Sequence, residues 1–159
     1  MIVIGIDPGP LKCGFCVYDT DTKRVTESRK DASVDDVLDT LFQLRLPCYR
    51  VGIERVQSYG IAGGDLLRTS EVVGRLWQQA IGSGYEVTLH YRRDVLRFLD
   101  VTGKGSRDAL VRARLIEMHG GTREAAMGKK ASPGPLYGVS SHAWSALAVA
   151  LTAADGVDK

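Results

Sequence analysis

Two spacings of apolar residues alternate along the sequence, and they predict strands and helices in turn. Short apolar runs bounded by glycine, proline or aspartate predict strands, whereas apolar residues three or four apart predict amphipathic helices. We expect strands at residues 2–7, 13–18, 23–29, 49–54 and 86–91. We expect helices at 33–42, 65–83, 106–119 and 140–153, the last with Ser140 or Ser141 as its N-cap. Residues 94–99 should form a short helix or turn, and the glycine- and proline-rich stretch 120–136 a loop.

The order of these elements predicts the topology. Short turns join the first three strands, which should form an antiparallel meander. The first helix is then a right-handed crossover to the fourth strand, which should lie parallel to the first and beside it. The predicted fold class is therefore α/β, with a mixed five-stranded sheet flanked by helices. With 159 residues, of which 44% are hydrophobic, the chain is expected to form a single domain, 1–159, around one core.

Two carboxylates stand where parallel strands of this sheet should end. Asp7 closes the first apolar run and Glu54 closes the fourth, so both are expected at the same edge of the sheet. Acids on neighbouring strands, ~5 Å apart, can hold a divalent cation between them. The alternative is that each is an ordinary exposed carboxylate at the end of a strand.

Composition limits the partners and the cellular location that we expect for the protein. A net charge of +2 permits a nucleic-acid partner without requiring one. The sequence has neither an apolar run of membrane-spanning length nor a signal peptide, so we expect a cytoplasmic protein without a membrane partner, in a bacterium or a phage-infected host. Three cysteines suit a reducing compartment. Cys13 and Cys16 have zinc or redox spacing, but they fall in a predicted strand and are better interpreted as buried apolar residues.

Two segments are candidates for contact with a nucleic acid. The loop after Glu54 contains Arg55, Tyr59 and three glycines. It suits contact with a nucleic-acid backbone or a base, or it is a flexible connection with Tyr59 folded inward. Basic residues are dense from 92 to 107, around a Gly-Lys-Gly turn that leads into a helix N-terminus, a favourable place for phosphate. The alternative for this segment is a solvated helix face. Its basic residues are Arg92, Arg93, Arg97, Lys104 and Arg107.

The last predicted helix adds His142 and Ser145, three residues apart in its first turn. A histidine at a helix start is commonly a surface residue. Here it belongs to a wider pattern, because the chain resembles the RuvC family of Holliday-junction resolvases, within the ribonuclease H-like superfamily. The resemblance covers nearly the whole chain. It is carried by Ile-Gly-Ile-Asp-Pro-Gly at the start, Gly-Ile-Glu at 52–54, the glycine turn at 103–105 and His-Ala-Trp-Ser-Ala-Leu-Ala-Val-Ala-Leu in the last helix.

This resemblance implies a ribonuclease H-like sheet and a catalytic site of Asp7, Glu54, His142 and Ser145. Asp7, Glu54 and His142 would bind two divalent ions, Mg²⁺ or alternatively Mn²⁺, with Asp7 shared between them. The implied reaction is hydrolysis of phosphodiester bonds in four-way or branched DNA. The DNA-binding candidates are Arg55, Tyr59, Arg97, Lys104 and Arg107. The implied assembly is a homodimer with two sites for two symmetric strands, and the helix at 65–83 is the candidate interface.

Three positions depart from the family pattern. Ser145 stands where the family commonly has an acid, Gln57 where it often has Phe, and Ala109 where it has Lys. A hydroxyl is a weaker metal ligand than a carboxylate. Ser145 is therefore either a natural variant or a replacement for an original Asp. The rival hypothesis is a RuvC-like protein that binds branched DNA but cuts it weakly or not at all. Actin-like ATPases share the strand-end acid but need a second domain, for which the chain has no room.

Overall fold

The structure, a computed structural model, describes residues 1–44, 49–58, 60–61 and 63–156. The main sheet consists of β1 (Ile2–Pro8), β2 (Lys12–Asp19), β3 (Arg24–Ser33), β4 (Tyr49–Arg55) and β5 (Glu86–Tyr91). The helices are α1 (Val34–Gln43), α2 (Gly64–Gly82), α3 (Arg92–Phe98), α4 (Arg107–Met118), α5 (Arg123–Met127) and α6 (Ala143–Asp155). A small hairpin joins β6 (Gly128–Lys129) to β7 (Ser132–Pro133).

The main sheet has the strand order β3-β2-β1-β4-β5. β1, β2 and β3 form an antiparallel meander, and β4 and β5 continue the sheet parallel to β1. The predicted topology, with α1 as the crossover that brings β4 beside β1, is confirmed. The carboxyl ends of β1, β4 and β5 consequently meet at one edge of the sheet.

Apolar side chains form a buried cluster on each face of this sheet. On one face, inward residues of β1 and β4 such as Ile4 and Ile53 pack with Leu41 of α1 and Leu76 of α2. On the other face, α6 provides most of the cluster, together with residues of α3 and α4. Since α6 is buried along nearly its whole length, it is a central helix of the fold.

Three glycines of the sheet allow α6 to lie unusually close to it. A Cβ at Gly5 of β1 would stand 1.9 Å from the Ala146 carbonyl oxygen, and one at Gly52 of β4 would stand 2.7 Å from the Ala153 Cβ. A Cβ at Gly14 of β2 would stand 2.3 Å from the His142 carbonyl oxygen. The alanines of α6 were expected to permit close packing, and the strand glycines complete the fit.

Three predicted boundaries are wrong. The third strand was expected to end at residue 29, but β3 continues to Ser33, directly before α1. Residues 120–136 are more than a loop: Thr122 caps α5 by accepting a hydrogen bond from the Ala125 amide, and the β6–β7 hairpin follows. This segment is ordered because Ala126 and Leu136 are buried in the α6 cluster. The last helix begins at Ala143 with His142 as its N-cap, instead of Ser140 or Ser141. Ser141 has a left-handed backbone (φ 46°). The Ser140 carbonyl accepts a hydrogen bond from the Ala143 amide, which closes a turn before the helix.

The expected burial of Cys13 and Cys16 is confirmed. Cys13 and Cys16 are buried, in the clusters on opposite faces of the sheet, while Cys48 lies outside the described residues. Burial raises the pKa of the Cys13 thiol to about 11. Within the described part of the chain, every helix is too short or too polar to span a membrane.

Candidate active site

The two strand-end carboxylates lie side by side. Ile6 of β1 pairs with Ile53 of β4, so the residues that follow them, Asp7 and Glu54, occupy neighbouring positions at the same edge. Both are largely withdrawn from solvent, with side-chain exposures of 21% and 15%. They line one cleft of about 170 Å³ together with Arg55 and the α3 residue Arg92. The geometry argues against two ordinary exposed carboxylates.

Burial shifts the pKa of both acids. Burial raises the pKa of Asp7, against the opposing effects of His142, Arg92 and a hydrogen bond from Ser145. Burial, followed by repulsion from Asp7, raises the pKa of Glu54 to about 7, although Arg92 counteracts part of this increase. Burial therefore makes the charged form of both carboxylates costly, and a cation bound between them would favour that form.

His142 reaches Asp7 because of how α6 is seated. Asp7 pairs with Gly14 across the β1–β2 ladder, and the His142 backbone packs directly against Gly14. His142 Nδ1 consequently lies 3.7 Å from Asp7 Oδ2. The structure thus brings His142 to Asp7 and joins Ser145 to the same group through Arg92.

The structure adds a residue to the site that the sequence analysis treated only as part of a basic segment. Arg92 Nη1 donates to Glu54 Oε2 at 3.4 Å and to Ser145 Oγ at 3.3 Å, and its Nη2 donates to Asp108 Oδ1. The signal was available in the topology, because Arg92 directly follows β5, the third strand whose carboxyl end lies at this edge. Asp108, in the first turn of α4, had no such signal.

The donor atoms fit a hard divalent cation. Asp7 and Glu54 are adjacent, partly buried carboxylates whose mutual repulsion a cation would relieve, and His142 adds a nitrogen donor near Asp7. Over the described residues, no three His, Cys, Asp or Glu side chains are already gathered as a metal site. Mg²⁺ is compatible with this, since it is commonly held by one or two protein carboxylates, with waters and substrate phosphates completing its shell.

The candidate DNA-binding residues are distributed around this edge. Arg55 lines the Asp7–Glu54 cleft, and its guanidinium lies 5.2 Å from the centre of the Tyr91 ring. Arg97 on α3 is 82% exposed. Lys104 and Arg107 are exposed at the turn before α4, where Arg107 Nη1 donates to the Gly103 carbonyl at 3.2 Å.

Tyr59 lies outside the described residues. The glycine turn itself is as expected, with Gly103 and Gly105 in left-handed conformations that lead into α4. The predicted DNA-binding roles stay predictions.

The architecture matches solved structures of one protein. A structure of RuvC from Thermus thermophilus superposes with a TM-score of 0.67 at 23% identity, covering 97% of this chain and 93% of that one. The chain has a RuvC-like fold. A structure of T. thermophilus RuvC in complex with a Holliday junction substrate matches with a TM-score of 0.63 and 23% identity, covering 97% and 92% of the two chains. The predicted ribonuclease H-like α/β architecture is confirmed by this RuvC-like topology.

The sequence comparisons, unlike the structural one, found no match: the chain matches neither a protein-family model nor a curated protein. The RuvC-like likeness is therefore a likeness of fold, and it extends over the elements that carry Asp7, Glu54 and His142.

Proposed function

We propose that the protein is a structure-selective endonuclease that hydrolyses phosphodiester bonds in four-way or branched DNA with the help of divalent cations. The observation that carries the proposal is the convergence of Asp7, Glu54 and His142 at one edge of a RuvC-like sheet. The T. thermophilus protein of the same fold has been solved with a Holliday junction substrate, which supports the substrate class.

In this proposal the chain provides cation ligands and a rigid frame. Asp7 and Glu54 bind the cation through carboxylate oxygens, and His142 provides a further donor next to Asp7. When bound, Mg²⁺ or Mn²⁺ supplies Lewis-acid activation of water and stabilises the negative charge that develops on the phosphate. Because the acids sit on strands β1 and β4, their separation is fixed by the sheet.

The basic residues around the site suit the DNA backbone. Arg55 lines the cleft at the end of β4, and Arg97, Lys104 and Arg107 are exposed on α3 and at the start of α4. With Tyr59 they form the proposed DNA contacts. Contacts to phosphate position a protein without reading sequence. Recognition of a branch would then depend on the shape of the junction.

A homodimer would present two such sites to two strands of a junction. Helix α2 exposes Leu67, Trp77 and Ile81, which lie along one helical stripe with the open Gly74. An exposed apolar stripe of this kind suits a two-fold helix contact. Sedimentation of the wild-type protein and of Trp77→Glu tests this: we expect a dimer for the first and a monomer for the second.

Cleavage of a synthetic four-way junction tests the main proposal. Wild-type protein should cut it in Mg²⁺ or Mn²⁺, and Asp7→Asn should lower the rate by at least ~10²-fold while junction binding persists. Asp35→Asn, which neutralises an exposed carboxylate on α1, is the matched control and should cut normally. If Asp7→Asn cleaves as fast as the control, the site assignment is wrong.

The alternative function is binding of branched DNA with weak or absent cleavage. It is favoured by Ser145, whose hydroxyl is a poorer ligand than the acid common at this position in the RuvC family. Junction cleavage by wild-type protein beside Ser145→Asp separates the two functions. Robust cutting by both would exclude the binding-only alternative, whereas cutting by the variant alone would establish it.

A further inference from the structure

Arg92 occupies an unusual place for a DNA-contacting residue. Its side chain is 29% exposed, much less than the 82% of Arg97 on the same helix. Its guanidinium is turned into the carboxylate site, where it donates to Glu54 and Ser145 through Nη1 and to Asp108 through Nη2. Arginine keeps its charge at every physiological pH, so this is a permanent cation inside the site.

The guanidinium connects the two halves of the site. Glu54 belongs to the cleft that Asp7 also lines, whereas Ser145 and Asp108 line a second cleft of about 180 Å³ together with His142. Arg92 therefore joins a residue of the first cleft, Glu54, to a residue of the second, Ser145. On the Asp7 side of the site, His142 Nδ1 lies 3.7 Å from Asp7 Oδ2.

Ser145 fits this arrangement better than an acid would. Its Oγ accepts from Arg92, and as a neutral residue it adds no negative charge beside Asp7. A carboxylate at this position would gain the guanidinium but would add a second negative charge near Asp7, whose charged form burial already disfavours. A neutral Ser145 therefore suits a site in which the Arg92 guanidinium already provides one positive charge.

We propose that Arg92 is a built-in cation of this centre that takes the place of a second divalent ion, so that each chain binds one divalent ion, on Asp7 with Glu54 and His142. This inference rests on the proposed nuclease function and departs from the two-ion site that the sequence resemblance implies. The guanidinium would also present paired N–H donors to the phosphate, a geometry that a spherical ion lacks. Negative charge developing on the phosphate is then stabilised by one divalent ion and one fixed arginine.

Counting bound Mn²⁺ by electron paramagnetic resonance tests the inference without reference to cleavage. We expect the wild-type protein, titrated without DNA and with a non-hydrolysable junction, to saturate at one Mn²⁺ per chain. Saturation at two Mn²⁺ per chain would overturn the proposal, and this measurement requires no variant to fold.

Removal of the guanidinium should have opposite effects on affinity and rate. Arg92→Gln deletes a positive charge beside the cation site, so the Mn²⁺ dissociation constant should fall by about tenfold. Cleavage at saturating Mn²⁺ should slow by about 10²-fold, as expected when a fixed donor to the phosphate is lost. Arg75→Gln, which removes a surface arginine paired with Asp35, is the matched control and should leave both quantities unchanged. If Arg92 only holds the fold of the site together, Arg92→Gln should instead weaken Mn²⁺ binding. That result would refute the proposal.

A double substitution completes the test. Ser145→Asp alone should still bind one Mn²⁺ per chain, because Arg92 pairs with the new carboxylate. Arg92→Gln combined with Ser145→Asp should bind two, because an acid has replaced the fixed cation. If the double variant stays at one, Arg92 is not what limits the ion count and the inference fails. If the wild-type protein cleaves the junction but binds two ions per chain, only this inference fails. If it binds one ion per chain but does not cleave, only the proposed function fails.

Discussion

Gly5→Ala tests the close seating of α6 on the sheet. The new Cβ would stand 1.9 Å from the Ala146 carbonyl oxygen, 2.7 Å from the Ala150 amide nitrogen and 2.8 Å from the Ala150 Cβ. The nearest of these atoms belong to the backbone of a buried helix, so relief requires the helix as a whole to move away from β1. Because α6 also lies on Gly14 and Gly52, moving it loosens its contacts with β2 and β4 as well.

The expected cost follows from this overlap. Overpacking a well-packed core commonly costs ~1–3 kcal/mol, and a clash with rigid backbone belongs at the upper end of that range. A loss of about 3 kcal/mol corresponds to a fall in Tm of about 6–12 °C for a chain of this size, at ~2–4 °C per kcal/mol. Thermal unfolding followed by circular dichroism, with urea titration to obtain the free energy of unfolding, measures both quantities.

Gly82→Ala is the matched control for this measurement. It adds the same methyl group at the last residue of α2, where a Cβ meets no atom of the described residues within 4 Å. It should be neutral or should stabilise the protein by up to ~1 kcal/mol, because alanine is a better helix former than glycine. A Tm for Gly5→Ala within about 1 °C of the control would refute the packing described between α6 and β1.

Three further predictions concern other contacts. Gly14→Ala should displace His142, because its Cβ would stand 2.3 Å from the His142 carbonyl oxygen; we expect Mn²⁺ affinity and junction cleavage to fall, by ~10²-fold in rate for a shift of about 1 Å. Burial lowers the pKa of His119 below its ordinary 6.5, so the unfolded chain takes up this proton first and stability should fall as pH drops below 6.5. In His119→Gln the loss of Tm between pH 7.5 and 5.5, two pH values that bracket the unperturbed histidine pKa of about 6.5, should be smaller than in wild type. Arg50→Met removes the guanidinium that donates to the Ala153 carbonyl at 2.9 Å and should cost about 1–3 kcal/mol in urea unfolding.

The sheet and its acids were predictable because their signals are local. A continuous apolar run that ends in an acid marks both a buried strand and the edge where the strand stops, and the crossover rule then puts Asp7 beside Glu54. The spacing of His142 and Ser145 predicted that they share one face of the last helix, whereas their place beside Asp7 was implied by the resemblance to the RuvC family. The arrangement of the two acids therefore follows from short segments and one rule of topology.

Arg92, Asp108 and the strand glycines were harder to predict because their roles depend on contacts between distant segments. An arginine within a basic stretch has the same local signal whether it faces solvent or a carboxylate cluster. A glycine within a strand gives no indication of the helix that will cover it until that packing is known. The error at residues 120–136 has the same origin, since burial of Ala126 and Leu136 against α6 outweighs the glycine and proline content.

The position of α6 also links folding of the domain to assembly of its site. Residues 143–155 cover the first strands of the chain, and their N-cap residue completes the group around Asp7. These contacts join segments separated by more than 120 residues, which is a slow kind of contact to form. A chain whose α6 is not docked on the sheet lacks His142 beside Asp7. Docking of this one helix is therefore needed both to cover a face of the sheet and to complete the group around Asp7.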